Sequence, residues 1–247
     1  MYDVFEILRI STIAGLATTL GSLLVLLFGK PQERVLASLI AGAGGVMLAV
    51  VTLDLLPSAW QSGPPLQVGA GFALGLLFMF LAAKQLNVPA DSDLPLSRRQ
   101  RLKRTGLLIA TGIALHDIPE GMAIAISQEA APGLGLLIAL AITLHNLPEG
   151  MATTAPLTMA RIRWWKILLL NIAIAFFTPF GALLGILALE SVQNSLAFFL
   201  AFAAGAMIFL VFAELIPLSR ERHPHYALLG GTTGFILFAL IGLVLPG

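Results

Sequence analysis

Ala43 to Pro57 reads AGGVMLAVVTLDLLP, and Ala203 to Pro217 reads AAGAMIFLVFAELIP. At a constant offset of 160, Gly45 meets Gly205, Met47 meets Met207, Asp54 meets Glu214 and Pro57 meets Pro217. The same offset pairs Thr18 with Thr178 and Gly21 with Gly181, and a small shift aligns Gly71-Phe72 with Gly234-Phe235. Both stretches lie inside apolar windows long enough to span a bilayer. Reading such windows outward gives eight segments, near 7–29, 35–57, 66–86, 105–128, 133–157, 164–189, 195–217 and 226–245. Segments 1–3 therefore match segments 6–8. Segments five apart run in opposite directions, so the repeat is inverted, the arrangement typical of secondary transporters, whose substrate sits at the repeat interface.

Composition agrees. The 247 residues are 58% hydrophobic and 11% charged, against about 25% charged in a soluble domain, and the mean hydropathy is +0.94. A soluble globule, a nucleic-acid binder and a disordered chain are excluded. Apolar runs of this length call for helices, because a barrel would show short alternating segments. The expected fold is an all-α polytopic membrane protein of eight transmembrane helices in a 3+2+3 arrangement. It forms one transmembrane domain, with repeat 1 over about 7–86, a central pair over about 105–157 and repeat 2 over about 164–245. Asp3, Glu6 and the long first apolar run do not fit a cleavable signal peptide. A net charge of +1 carries no message about partners, and the absence of Cys removes disulfides and thiolate sites.

Charge orients the bundle. Every one of the 14 Lys and Arg residues except Arg9 falls in connections 1–2, 3–4, 5–6 and 7–8 or at their helix ends. By the positive-inside rule those connections are cytoplasmic and both termini lie outside, in a cell membrane (the inner one in a bacterium). The densest basic cluster, Arg98, Arg99, Arg101, Lys103 and Arg104, reads as a topology signal or an anionic-lipid contact.

Segments 4 and 5 repeat each other at an offset of 29: His116-Asp-Ile-Pro-Glu-Gly-Met122 against His145-Asn-Leu-Pro-Glu-Gly-Met151. Asp54, Asp117, Glu120, Glu149 and Glu214 all lie within predicted spans. At about 2.5–3.5 kcal/mol for each central Asp, leaving them isolated would cost on the order of 10 kcal/mol. No Lys or Arg lies deep in a span, so bound cations or protons are the expected counter-charge. His and Glu four apart share a helix face, as two ligands of one metal must. Pro119 and Pro148 lack an N–H and leave the carbonyls of Leu115 and Leu144 without their usual donor. Gly121 and Gly150 admit a close backbone neighbour. Two His, two Glu, Asp117 and Asn146 make a mixed nitrogen–oxygen set without thiolate, suited to zinc, iron(II), manganese or cadmium rather than copper(I) or calcium.

Paired HxxPEG motifs on consecutive helices within eight spans resemble the ZIP (Zrt/Irt-like) family of divalent-metal transporters, over essentially the whole chain. The resemblance implies one metal held by His116, Glu120 and Glu149 with Met47. It implies a second held by Asp117, His145, Asn146 and the two glutamates, with Glu214. Many members have Asn where Asp117 stands, some have Gln-Asp where His145-Asn146 stand, and many carry histidine-rich loops that Asn87 to Arg104 lacks. Glu214 reads alternatively as a gate, Asp54 as an entrance residue, and His223 and His225 as solvated loop residues. The glycine pairs Gly71/Gly75 and Gly181/Gly185 read as helix-packing contacts.

The expected function is transport of a divalent transition metal into the cytoplasm, with no enzyme activity. The metal is substrate rather than cofactor, and the partners are that metal and membrane lipid, with no nucleic acid; a homodimer is compatible with the reading. A metal-selective channel using the same site is the first alternative. An intramembrane metal-dependent hydrolase is the second, disfavoured because neither motif is His-Glu-x-x-His.

Overall fold

In the computed structural model, the described residues are 4–29, 32–86, 97–130, 134–187 and 196–244. They are helical with no strand among them: α1 (Val4–Phe28), α2 (Glu33–Ser62), α3 (Pro65–Leu86), α4 (Arg98–Ala130), α5 (Leu134–Met159), α6 (Trp164–Leu187), α7 (Leu196–Arg222) and α8 (Pro224–Val244). Six of these, α1, α2, α3, α4, α6 and α7, are long and apolar enough to cross a membrane, which marks a multi-pass membrane protein. Helices α5 and α8 cover most of the two other expected spans. The polar connection holding Pro89 and Pro95 lies outside the described residues.

Proline sets the irregularities. Helix α2 carries a π-helical turn over Val51–Leu55 and α7 carries one over Val211–Leu215, again 160 residues apart. In each, the N–H of the residue after the turn reaches back five positions, Leu56 to Val51 and Ile216 to Val211. Pro57 and Pro217 follow at once. A proline ring collides with the carbonyl four residues earlier and offers it no donor. One extra residue in the turn relieves both problems. Each wide turn carries a carboxylate, Asp54 in α2 and Glu214 in α7. Helix α6 is interrupted at Phe176, next to the carbonyl of Ala175, to which Pro179 four residues later has no N–H to give. Helix α1 ends at Phe28; Gly29 still gives its N–H to Val25 at 3.1 Å, and its φ of 79° then turns the chain out of the helix.

The most extensive helix pairs are α2 with α8, α1 with α5, α7 with α3, α4 with α6, and α4 with α5. Glycines make these pairs close. A methyl group on Gly71 or Gly75 would overlap the carbonyls of Phe198 and Phe202 on α7, and one on Gly45 would overlap that of Gly231 on α8. Without a hydrophobic drive between helices in lipid, such backbone approach is the main source of packing energy. The small-residue pair Gly71/Gly75 thus has the packing role its spacing suggested. Large side chains such as Phe5, Leu27, Leu74, Phe80 and Leu237 stand exposed on the outside of the bundle, as a lipid-facing surface requires.

Candidate metal centre

The repeated motifs of α4 and α5 face each other across the helix pair. His116, Asp117, Glu120, His145, Asn146 and Glu149 are buried, none more than 3% exposed. The contacts are reciprocal. His116 Nε2 lies 3.2 Å from Glu149 Oε2, and His145 Nε2 lies 3.1 Å from both oxygens of Glu120. Each histidine therefore meets the other motif's glutamate rather than only the one four residues along its own helix. An offset of 29 on antiparallel neighbours produces this exchange.

Orientation is held from behind. His116 Nδ1 donates to the carbonyl of Gly112 at 3.0 Å, which turns Nε2 toward the carboxylates, the orientation used by metal-ligating histidines. Asn146 Nδ2 donates to the carbonyl of Ala14 on α1 at 3.0 Å, so its oxygen faces away from α1. His116, Asp117 and Glu120 each offer a ligand atom, all within 4.8 Å of one another. Asp117 Oδ1 lies 3.6 Å from His116 Nε2.

The acceptors at this centre are under-supplied. Both oxygens of Asp117, Glu149 Oε1, Asn146 Oδ1 and His145 Nδ1 are buried with no hydrogen-bond partner. A buried unsatisfied polar atom costs roughly 1–3 kcal/mol, and more if charged. Anionic acceptors crowded together without donors are what a bound cation neutralises. The donor set is two imidazole nitrogens plus carboxylate and amide oxygens, a match for a borderline divalent transition metal.

The glycine after each motif is pressed against a crossing helix. A methyl group on Gly121 would overlap the carbonyl of Thr178 on α6, and one on Gly150 would overlap that of Thr18 on α1. Gly181 and Gly21 return the contact against the carbonyls of Ile118 and Leu147. Gly121 and Gly150 thus admit the close backbone their sequence context suggested. Thr18 and Thr178 have hydroxyls buried without a partner. The repeat had matched these threonines to each other, yet nothing in their spacing tied them to the motifs.

The remaining residues sit elsewhere. Met47 is fully buried in the main apolar core with Ile109, Ile113 and Met207. Glu214 is engaged on both oxygens, by Arg104 Nη2 at 3.2 Å and by the Thr105 hydroxyl at 3.3 Å, three turns along α4 from His116. Its counter-charge is an arginine from a helix end, which corrects the expectation that bound cations or protons supply it for every acid in a span. Helix α4 starts six residues before Arg104, and the long guanidinium side chain reaches inward from there. Asp54 is exposed and accepts a 3.4 Å bond from Ser58. His223 and His225 lie with ring centres 6.2 Å apart beside Tyr226, at the α7–α8 junction.

The basic cluster is also not simply lipid-facing. Arg98, Arg101 and Arg104 pair with Glu33, Glu221 and Glu214, and Arg99 Nε donates to the Ala160 carbonyl at 2.9 Å. Charge counting along the chain carries no information on which acids a later helix brings alongside.

The ZIP zinc transporter family model matches residues 90–242. The chain is 34% identical to the zinc transporter ZupT of Chlorobium phaeovibrioides, over 99% of this chain and 100% of that protein. It is 32% identical to ZupT of Chlorobium limicola, over 94% of each chain. It is 35% identical to ZupT of Salmonella arizonae, over 91% of this chain and 92% of that protein. A family match that takes in both histidine motifs, with relatives aligned nearly end to end, leaves one assignment: the chain belongs to the ZIP family of zinc transporters.

Proposed function

We propose that this protein carries zinc, and related divalent metals such as iron(II), manganese or cadmium, across a membrane into the cytoplasm. The observation that carries the reading is the set of buried acceptors without donors on Asp117, Glu149, Asn146 and His145. In this reading His116, Asp117, Glu120, His145, Asn146 and Glu149 hold the metal between α4 and α5. Met47 borders the route from α2. Glu214 lies along the way out, reached once it parts from Arg104.

The proposed architecture is a single domain of eight spans, 3+2+3, both termini outside. Several features support it. The helix pairs exchange under the sequence correspondence: α1 with α5 answers α6 with α4, and α2 with α8 answers α7 with α3. The π-helical turns and the reciprocal glycine contacts do the same. These pairings favour two sets of helices, a metal-bearing set of α1, α4, α5 and α6 and a frame of α2, α3, α7 and α8. Alternating access follows if the first set shifts against the second while the metal stays between α4 and α5.

Radiolabelled zinc uptake into proteoliposomes tests this. Saturable uptake with accelerated exchange when unlabelled zinc is present inside is expected of a carrier. Non-saturating flux without such exchange would favour a channel. No flux of any divalent metal under any gradient would refute transport. Because the ligands bind metal only when deprotonated and titrate together, zinc binding is expected to release protons, readable with a pH dye in weakly buffered protein.

A further inference from the structure

We propose that Arg98, Arg101 and Arg104 form a lock that holds the metal-bearing helices closed against the frame on the cytoplasmic side only. The proposal rests on the transport reading above for its topology. The three arginines are spaced three apart along the first turns of α4, so they follow one another along a strip of its surface. Each meets an acid of the frame. Arg98 pairs with Glu33 in the first turn of α2. Arg101 Nη1 lies 3.5 Å from Glu221 Oε1 near the end of α7. Arg104 Nη2 lies 3.2 Å from Glu214 Oε1 in the π-helical turn of α7. Arg222 of α7 ties the frame acid Glu33 from the other side, at 3.6 Å. Among the described residues these are all the Arg–carboxylate pairs, and they gather at one end of the bundle.

The inverted repeat supplies the control. If the rungs were general packing aids, their counterparts would recur at the opposite end. Moved by 29, Arg98, Arg101 and Arg104 fall on positions 127, 130 and 133, all before α5 begins at Leu134, so α5 has no turns that correspond to the ones bearing the arginines. Moved by 160, Glu33 becomes Gln193, Glu221 becomes Gln61 and Glu214 becomes Asp54. None of the three shifted arginine positions carries a base, and of the three shifted acids only Asp54 remains. Helix α4 also runs 33 residues against 26 for α5, and the excess lies at its start, where the arginines sit. Charge therefore breaks the pseudo-symmetry at one face: Glu214 is tied, while Asp54 stands exposed.

The strengths suit a latch rather than a permanent weld. The Arg98 and Arg101 rungs are half-exposed and therefore individually weak and reversible. The innermost rung is better shielded, with side chains 22% and 10% exposed, so Arg104 is the dominant element. Opening the inner face parts α4 from α2 and α7 and frees the carboxylates of Glu221 and Glu214 along the exit, where they attract the departing cation, while Glu33 keeps Arg222. The lock and the exit lining are then the same acids in two states.

The chain's lack of cysteine permits a clean test. Ile109 of α4 is fully buried in the core beside frame residues, so Ile109→Cys reports opening through its reaction with a membrane-impermeant maleimide in metal-free vesicles of known sidedness. Adding Arg104→Gln is expected to raise the rate from the cytoplasmic face about tenfold, the equivalent of about 1.4 kcal/mol. The exchange Arg104→Glu with Glu214→Arg is expected to return it to within about twofold of the parent, a difference well under 1 kcal/mol. Arg101→Gln, a half-exposed position that spares the core, is expected to give a smaller rise from the same face. An unchanged rate in both neutralised variants overturns the lock, as does an equal rise from both faces, which reports loosened packing. A rise confined to the outer face overturns the topology instead. Because no metal is present, absence of zinc transport in the uptake assay would leave the accessibility result readable on its own.

Discussion

Replacing His116 and Glu149 together by alanine is expected to abolish saturable zinc uptake while leaving a folded protein. The two side chains form one contact, Nε2 to Oε2 at 3.2 Å. Removing both therefore strips a nitrogen and a carboxylate from the centre without stranding either partner. Losing two ligands from a buried centre costs at least about 3 kcal/mol of metal affinity, on the order of a hundredfold. The single change Glu149→Ala has a different signature. It leaves His116 with Asp117 and Glu120, and metal binding is expected to weaken rather than vanish because the α4 motif is intact. Zinc binding by calorimetry and uptake in the same preparations would check both. Uptake by the double variant within about threefold of wild type, less than 1 kcal/mol in binding terms, would remove the centre from the transport route.

Adding a methyl group to both Gly121 and Gly150 is expected to be the most damaging small change in stability. Each new methyl would overlap a backbone carbonyl, of Thr178 and of Thr18, and a crossing helix backbone cannot yield as a flexible side chain can. Overpacking of this kind costs about 1–3 kcal/mol per site. The pair is therefore expected to lower the melting temperature in detergent by about 5–15 °C. Gly69→Ala is the comparison, since nothing stands within 4 Å of a methyl there. Relief of glycine's backbone freedom in a helix is worth roughly 0.5–1 kcal/mol, so its melting point is expected to hold or rise. The two glycine variants and the control, measured side by side by fluorescence-detected size exclusion after heating, separate a steric effect from a general intolerance of substitution.

Much of this protein is written in local pattern. Apolar windows of spanning length, the basic residues gathered in alternate connections, and the offsets of 160 and 29 are properties of the chain as a string. They are legible because lipid forces each span to satisfy its own backbone as a helix. The motif residues were legible for the same reason. A carboxylate or histidine in a helix that must cross hydrocarbon is costly enough to need a partner, so His116, Glu120, His145 and Glu149 announce themselves by position alone.

The partners themselves were not legible. Spacing four apart placed His116 with Glu120, and their ligand atoms do lie within 4.8 Å; the direct contacts of His116 with Glu149 and of His145 with Glu120 arise only where α4 meets α5. Glu214 matched Asp54 in the repeat, yet one is tied to Arg104 and the other is exposed. The basic cluster was legible as charge, but its pairing with Glu33, Glu221 and Glu214 depends on α2 and α7 coming alongside it. The sequence by itself determined that the chain folds as membrane helices, that segments of it repeat at offsets of 160 and 29, and which side chains are too polar for lipid. Each of those follows from short-range periodicity and the free energy of transfer. Only the tertiary structure decided which acid meets which base, because a pairing between helices depends on rotation and depth, and those are set by contacts between different helices rather than by neighbours along the chain.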